Sequence, residues 1–67
     1  MLKLYETVGV KKDYPELGIT TKNEGCVIDI LANGKAYVVE FFDEDGETIE
    51  KSLLKDFLEE ELMSKSK

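Results

Sequence analysis

Residues 26–50 read CVIDILANGKAYVVEFFDEDGETIE, and this stretch decides the fold because it holds two turn signals on either side of one apolar strand. Asn33-Gly34 supplies the two positive-φ residues that a type I′ hairpin turn requires. The predicted ladder then pairs apolar and aromatic side chains: Ile30 with Tyr37, Ile28 with Val39, and Cys26 with Phe41. We expect these six side chains to face the core.

The residues between these pairs form a second face, because side chains alternate along a strand. That face mixes apolar and acidic types: Val27, Asp29, Leu31, Ala36, Val38, Glu40 and Phe42. Cys26 belongs to the first face, where a free thiol packs like a small hydrophobe. The chain has no histidine and no second cysteine to complete a metal site or activate the thiol.

The second turn signal, DEDGE at 43–47, is consistent with a calcium loop or with a hairpin turn. With Gly46 as the invariant glycine of an EF-hand loop, Phe41 takes the first ligand position and Ser52 the last. Neither residue supplies the required carboxylate, so we expect no specific metal site. The alternative is a three-residue loop, Glu44 to Gly46, in which Gly46 is left-handed and Asp43 faces Glu47.

This second hairpin predicts a further set of cross-strand pairs. On the core face these are Phe41 with Ile49, Val39 with Lys51, and Tyr37 with Leu53. On the other face they are Phe42 with Thr48, Glu40 with Glu50, and Val38 with Ser52. Both hairpins therefore assign Tyr37, Val39 and Phe41 to the core.

The sequence outside residues 26–50 gives weaker signals for secondary structure. Residues 4–12 predict a strand with Val8 and Val10 inward, and residues 12–24 a long loop around Pro15. The C-terminal segment fits a helical turn near 54–58 followed by a short closing strand, or else a longer helix. We expect one domain over residues 1–63 and a frayed polar tail at 64–67.

Composition excludes several classes of function. The net charge is −6, and every one of the nine basic residues is a lysine. A chain without arginine and with this charge is a poor ligand for phosphate backbones, so we expect no direct nucleic-acid binding. The absence of histidine removes imidazole bases and Ser-His or Cys-His pairs, so we expect neither an enzyme nor a cofactor.

The expected compartment is the cytoplasm. No apolar run approaches the length of a membrane-spanning helix, and the first residues do not resemble a signal peptide. The single cysteine cannot form an internal disulfide, which fits a reducing environment. We expect a monomer or a weak homo-oligomer.

The stretches YPELGI, EGCVIDIL and GKAYVVEFFDEDGETI, within Glu6 to Leu58, resemble DUF4926, a small uncharacterised bacterial domain. The resemblance implies an SH3-like barrel. Combined with the two hairpins and the C-terminal pattern, it predicts an all-β fold, a small five-stranded barrel with a short helical turn near the C-terminus. It also implies a non-enzymatic module. Because relatives of this type tend to be encoded beside toxin-like proteins, it implies an antitoxin or immunity role.

Three functions remain open: a module that inhibits a basic protein, an accessory subunit docked on a larger enzyme, and a carboxylate-based hydrolase. A barrel of this size rarely encloses the two-carboxylate cleft that the last requires. An apolar patch rimmed by carboxylates suits a basic protein partner. The candidate partner-binding residues are Val38, Glu40, Phe42, Glu44 and Glu50. The alternative is that other segments cover Val38 and Phe42.

Overall fold

The computed structural model describes residues 1–65, and its four strands form one antiparallel sheet. Its strands are β1 (Thr7–Val10), β2 (Glu24–Leu31), β3 (Ala36–Phe42) and β4 (Leu62–Ser64). Their order across the sheet is β3-β2-β1-β4, so the last strand pairs with the first. The prediction of a mainly β fold is confirmed.

The helical structure between the strands is limited to short 3₁₀ turns. They lie at Pro15–Leu17, Ala32–Gly34, Glu50–Leu54 and Glu59–Glu61. Over residues 1–65, no helix has both the length and the apolar character needed to cross a membrane.

The predicted core stripe of the central strand is confirmed. Tyr37, Val39 and Phe41 are each 0% exposed, and the residues between them are half-buried. Eight more apolar side chains complete the core: Leu2, Val8, Val10, Tyr14, Ile19, Val27, Phe57 and Leu62. The inward orientation predicted for Val8 and Val10 is therefore confirmed, whereas Tyr14 and Ile19 come from the segment predicted as a loop.

The register between β2 and β3 changes at a bulge. Ile30 pairs with Tyr37 as predicted, but the register shifts by one residue between Val27 and Asp29. Beyond it Val27 pairs with Val39, so the predicted pairing of Ile28 with Val39 is wrong. A bulge adds one residue to one strand only, and every later side chain of that strand changes face.

The bulge also corrects the pairing of Cys26 with Phe41. Gly25 is opposite Phe41, and Cys26 is opposite Glu40. A Cβ atom on Gly25 would lie 2.8 Å from side-chain atoms of both Phe41 and Val39. Glycine at this position therefore lets the Phe41 ring pack directly against the β2 backbone.

The first turn is longer than predicted. Asn33 and Gly34 do have positive φ, 59° and 92°, but Ala32 joins them at 51°. The Lys35 N–H donates to the carbonyls of Leu31 and Ala32, and the β2–β3 ladder ends at Leu31 and Ala36. The connection is therefore a four-residue loop, Ala32 to Lys35, and not a two-residue type I′ turn.

The second turn is confirmed as a hairpin loop. Gly46 has φ 82°, and the Asp43 N–H donates to the Glu47 carbonyl at 2.8 Å. Asp43 Oδ1 accepts from the Asp45 and Glu47 N–H groups at 2.9 and 3.0 Å. The acidic run thus uses its first carboxylate to close the turn.

The strand predicted after this turn ends early. Phe42 pairs with Thr48, and the Ile49 N–H donates to the Phe41 carbonyl at 2.7 Å, as the predicted register requires. The chain then enters the Glu50–Leu54 turn. The four predicted pairs beyond it are therefore wrong: Val39 with Lys51, Tyr37 with Leu53, Glu40 with Glu50, and Val38 with Ser52.

Ser52 explains this departure. Its side chain is buried, accepts the Phe41 N–H at 3.1 Å, and donates to the Ile49 carbonyl at 2.6 Å. The hydroxyl accepts the Phe41 N–H that a neighbouring strand would otherwise accept, so no further strand residue is needed opposite Phe41. Phe57 then pairs with Tyr37 through two backbone hydrogen bonds of 2.8 and 2.9 Å.

We expect Ser52→Ala to lower the free energy of unfolding by about 2 kcal/mol, because it leaves the Phe41 N–H without its partner in the core. Urea denaturation of both proteins measures the difference. Thr21→Ala removes an exposed hydroxyl and should change stability by no more than about 0.5 kcal/mol. Equal midpoints for Ser52→Ala and the parent would contradict the role given to Ser52.

The C-terminal segment ends in a short strand, and not in the longer helix. The helical turn lies at Glu50–Leu54, earlier than the predicted 54–58, and β4 follows at Leu62–Ser64. Ser64, the first residue of the predicted tail, lies in β4, and the Lys65 N–H donates to the Thr7 carbonyl. The last two tail positions, 66–67, lie outside the described residues.

Candidate functional site

The outer face of β3 holds three of the five predicted partner-binding residues. Val38, Glu40 and Phe42 are half-buried and alternate with the fully buried core stripe. The strand that fills the core with one set of side chains therefore presents the other set to the surface. Val38 and Phe42 are apolar, so this surface is not uniformly polar.

The bulge in β2 determines which side chains lie beside them. In the observed register Asp29 is opposite Val38, Cys26 is opposite Glu40, and Glu24 is opposite Phe42. We call these six residues the acidic face: Glu24, Cys26, Asp29, Val38, Glu40 and Phe42. Three apolar or weakly polar side chains thus lie among three carboxylates.

Two residues of β2 differ from the prediction. Cys26 was assigned to the core, but it is half-buried on the acidic face. Val27 was assigned to the outer face, but it is fully buried. The shift at Ile28 exchanges the two, because a single extra residue reverses the alternation.

Glu40 is held in position by a neutral partner. Thr48 Oγ1 donates to Glu40 Oε2 at 2.7 Å. The predicted opposition of Glu40 and Glu50 would have been repulsive, and the early end of the strand replaces it with this hydrogen bond. At the other end of the face, Asn23 Nδ2 donates to the Phe42 carbonyl at 3.1 Å.

The remaining two predicted residues, Glu44 and Glu50, are exposed. Glu44 lines a shallow groove that also includes Phe42, Glu24 and Lys22. Glu50 lines a second hollow, which reaches the face through Thr48. The structure therefore brings Glu44 next to Phe42, whereas Glu50 belongs to the adjoining turn.

A separate ionic cluster ties the loop after β1 to the segment before β4. The Tyr14 hydroxyl donates to Glu61 Oε2 at 2.9 Å, and Lys55 Nζ lies 3.3 Å from the same oxygen. Burial, and then the hydrogen bond to Glu61, raise the pKa of Tyr14 to about 12. This cluster stabilises the fold and lies outside the acidic face.

The pKa of Glu61 reflects two opposing effects. Burial alone would raise it, but hydrogen bonds from the Leu58 N–H and the Tyr14 hydroxyl, together with Lys55, lower the pKa below its usual value. The pKa of Glu6 is also lowered, first by a hydrogen bond from the Ser64 hydroxyl and then by one from the Lys3 N–H. Both carboxylates accept hydrogen bonds that favour the ionised form.

Within residues 1–65, no group of three or more acidic or cysteine side chains is arranged to hold a metal ion. In the 43–47 turn, the Asp43 carboxylate already accepts hydrogen bonds from two backbone N–H groups of the turn. What the acidic face offers chemically is charge and an apolar contact area.

A family model, Domain of unknown function (DUF4926), matches residues 4–64. The resemblance carried by the central strands is thereby confirmed, and the chain belongs to this family. No curated protein and no solved structure matches the chain.

Proposed function

We propose that this member of the DUF4926 family is a non-enzymatic module that binds and inhibits a basic protein through its acidic face. The observation that supports this most is the register of β2 and β3, which sets carboxylates beside Val38 and Phe42. A partly exposed apolar centre with a charged rim is the usual arrangement of a protein interface. An antitoxin or immunity role is the biological form of this proposal.

The proposed architecture is an SH3-like barrel. Its support is the path of the chain: the last strand, β4, pairs with the first, β1. Residues 48–49 pair with β3 as a short fifth strand would, and a 3₁₀ turn precedes the closing strand. Such a barrel carries its binding surface on the outside, because its interior is filled by side chains.

Charge argues for a basic partner. The chain carries a net charge of −6, and three carboxylates lie on the proposed contact surface. Rim charges of one sign speed the encounter with a surface of opposite sign and disfavour acidic partners. Affinity capture from the native host, followed by binding measurements with the purified captured protein, tests the proposal. A captured acidic enzyme that remains in a stable complex would instead support an accessory subunit.

With that partner in hand, we expect Phe42→Ala to weaken binding by about 2 kcal/mol, mainly through faster dissociation, because it truncates the apolar centre. Surface plasmon resonance measures both rate constants. Tyr5→Ala is the matched control, since Tyr5 is an exposed aromatic residue outside the acidic face. Equal dissociation rates for Phe42→Ala and the parent would exclude Phe42 as the centre of the interface.

Combined Glu→Gln changes at positions 40, 44 and 50 should slow association and flatten its dependence on salt. The physical reason is that exposed charges act over a distance that salt screens. Association rates at low and high ionic strength give the comparison, with Glu60→Gln as a control for an exposed carboxylate in the Glu59–Glu61 turn. An association rate that salt leaves unchanged in the parent would contradict electrostatic steering.

A further inference from the structure

The Glu50–Leu54 turn reverses the usual distribution of polar and apolar side chains. Its serine, Ser52, is fully buried, whereas Leu53 is 41% exposed and Leu54 is 81% exposed. Among residues 1–65, no other large hydrophobic side chain is as exposed as Leu54. A buried polar group beside exposed leucines is more informative than a single exposed leucine, because folding alone would favour the opposite arrangement.

Hydrogen bonds hold the reversed arrangement in place. Ser52 Oγ bridges the Phe41 N–H and the Ile49 carbonyl, and the Ser52 N–H also donates to the Ile49 carbonyl at 2.9 Å. These contacts hold the Ser52 side chain towards the core. With Ser52 held inward, Leu53 and Leu54 lie at the surface.

The two leucines line a hollow with Thr48, Glu50 and Lys51. Thr48 connects this hollow to the acidic face through its hydrogen bond to Glu40. Glu50 and Lys51 line the hollow and Glu40 adjoins it through Thr48, so two carboxylates stand against one lysine there. Lys55, the residue after Leu54, is paired with Glu61. The apolar surface of the two leucines therefore adjoins the acidic face through Thr48.

We propose that the Leu53-Leu54 turn is a second anchor of the partner interface, and that it packs against the apolar side of a basic amphipathic segment of the partner. This inference rests on the proposed function and deepens it, since it adds a contact and specifies what the partner must present. Charge complementarity selects a basic segment over an acidic one. It also disfavours a second copy of this chain, whose own net charge is −6.

The test uses a defined probe, a short synthetic amphipathic peptide of leucine and lysine. Two control peptides accompany it: a leucine–glutamate peptide of the same pattern, and a lysine–serine peptide with the same charge but no apolar side. Backbone amide shifts of the labelled full chain map where each peptide binds. We expect the leucine–lysine peptide alone to bind, with the largest shifts at Thr48 and residues 50–54.

Matched variants separate the turn from the rest of the surface. Leu54→Ser should weaken binding of the leucine–lysine peptide about tenfold or more, because it removes most of one buried leucine contact. Leu4→Ser is the control, since Leu4 is 48% exposed but lines a different hollow with Met1 and Tyr5. Glu50→Gln should weaken binding less than Leu54→Ser, and its effect should fade as salt rises.

Different results would overturn different parts of the inference. Shifts confined to Val38, Glu40 and Phe42, with Leu54→Ser binding normally, would exclude the turn and leave the proposed function standing. Equal binding of the acidic peptide would exclude a basic partner, and with it the proposed function. No binding of the leucine–lysine peptide, or concentration-dependent dimerisation that Leu54→Ser abolishes, would exclude the anchor as stated.

Discussion

Phe57→Ala should leave the protein largely unfolded at room temperature. The ring is fully buried and meets Tyr14 edge-to-face at a centroid distance of 5.7 Å and Phe41 at 5.6 Å. Truncating a buried phenylalanine costs about 3–5 kcal/mol. The single hydrophobic core of a domain of this size rarely supplies more than about 3–5 kcal/mol of stability, so the loss is comparable with the whole. Circular dichroism and urea denaturation measure it.

Two further variants keep this test interpretable. Phe57→Leu retains most of the volume and should remain folded, with a loss of about 1–2 kcal/mol that can be measured directly. Leu58→Ala changes the next residue, which is 44% exposed, and should cost far less. Equal stability of the parent and Phe57→Ala would mean that the aromatic cluster does not hold the C-terminal segment to β3.

The elements that could be predicted from the sequence are those determined by local chemistry. Gly46 needs positive φ, and Asp43 and Glu47 are the right distance apart to close the loop, so the second turn follows from a few adjacent residues. The core stripe of β3 follows from strict alternation over seven residues. Both depend on contacts within one hairpin, and both are confirmed.

The elements that were missed depend on contacts between segments distant in sequence. Nothing in the sequence Val27-Ile28-Asp29 marks a bulge at Ile28, because the shift depends on how Gly25 and Val27 pack against β3. Likewise, Ser52 ends a strand only because the Phe41 N–H lies within reach of its hydroxyl. Tyr14 enters the core from a loop because Glu61 and Phe57 meet it there.

In the candidate site, too, the features set within one strand could be predicted and those set by distant contacts could not. Val38, Glu40 and Phe42 were predicted correctly to share the outer face, since they follow from the alternation of one strand. Their neighbours Glu24 and Cys26 could not be predicted, since the bulge determines them. The exposure of Leu53 and Leu54 was also missed, because the predicted register assigned Leu53 to the core opposite Tyr37.

A second large effect is expected at high pH and comes from Tyr14. Its pKa is raised to about 12 in the folded protein, against 10.0 as the ordinary value for tyrosine. A group with a raised folded pKa contributes stability that is present below its unfolded pKa and lost as the pH rises through its folded pKa. Between pH 10 and 12 this one group should therefore remove on the order of 3 kcal/mol of stability.

Tyr14→Phe isolates this contribution from the lysines, which also titrate in alkali. At neutral pH the variant should be less stable by about 1 kcal/mol, because the hydrogen bond to Glu61 is lost. From pH 10 to 12, however, its stability should fall less steeply than that of the parent, so the two curves should converge or cross. Urea denaturation at a series of pH values gives both curves.

Tyrosinate absorbance provides an independent measurement of the same pKa. Subtracting the titration of Tyr14→Phe from that of the parent should leave a component with its midpoint near pH 12. Tyr5→Phe should leave this component in place, because Tyr5 is exposed and outside the cluster. Glu61→Gln should move the midpoint only part of the way towards 10, since burial is the larger cause of the shift and the hydrogen bond the smaller. A midpoint that returns fully to 10 in Glu61→Gln would show instead that the carboxylate, and not burial of the ring in the core, sets the pKa of Tyr14.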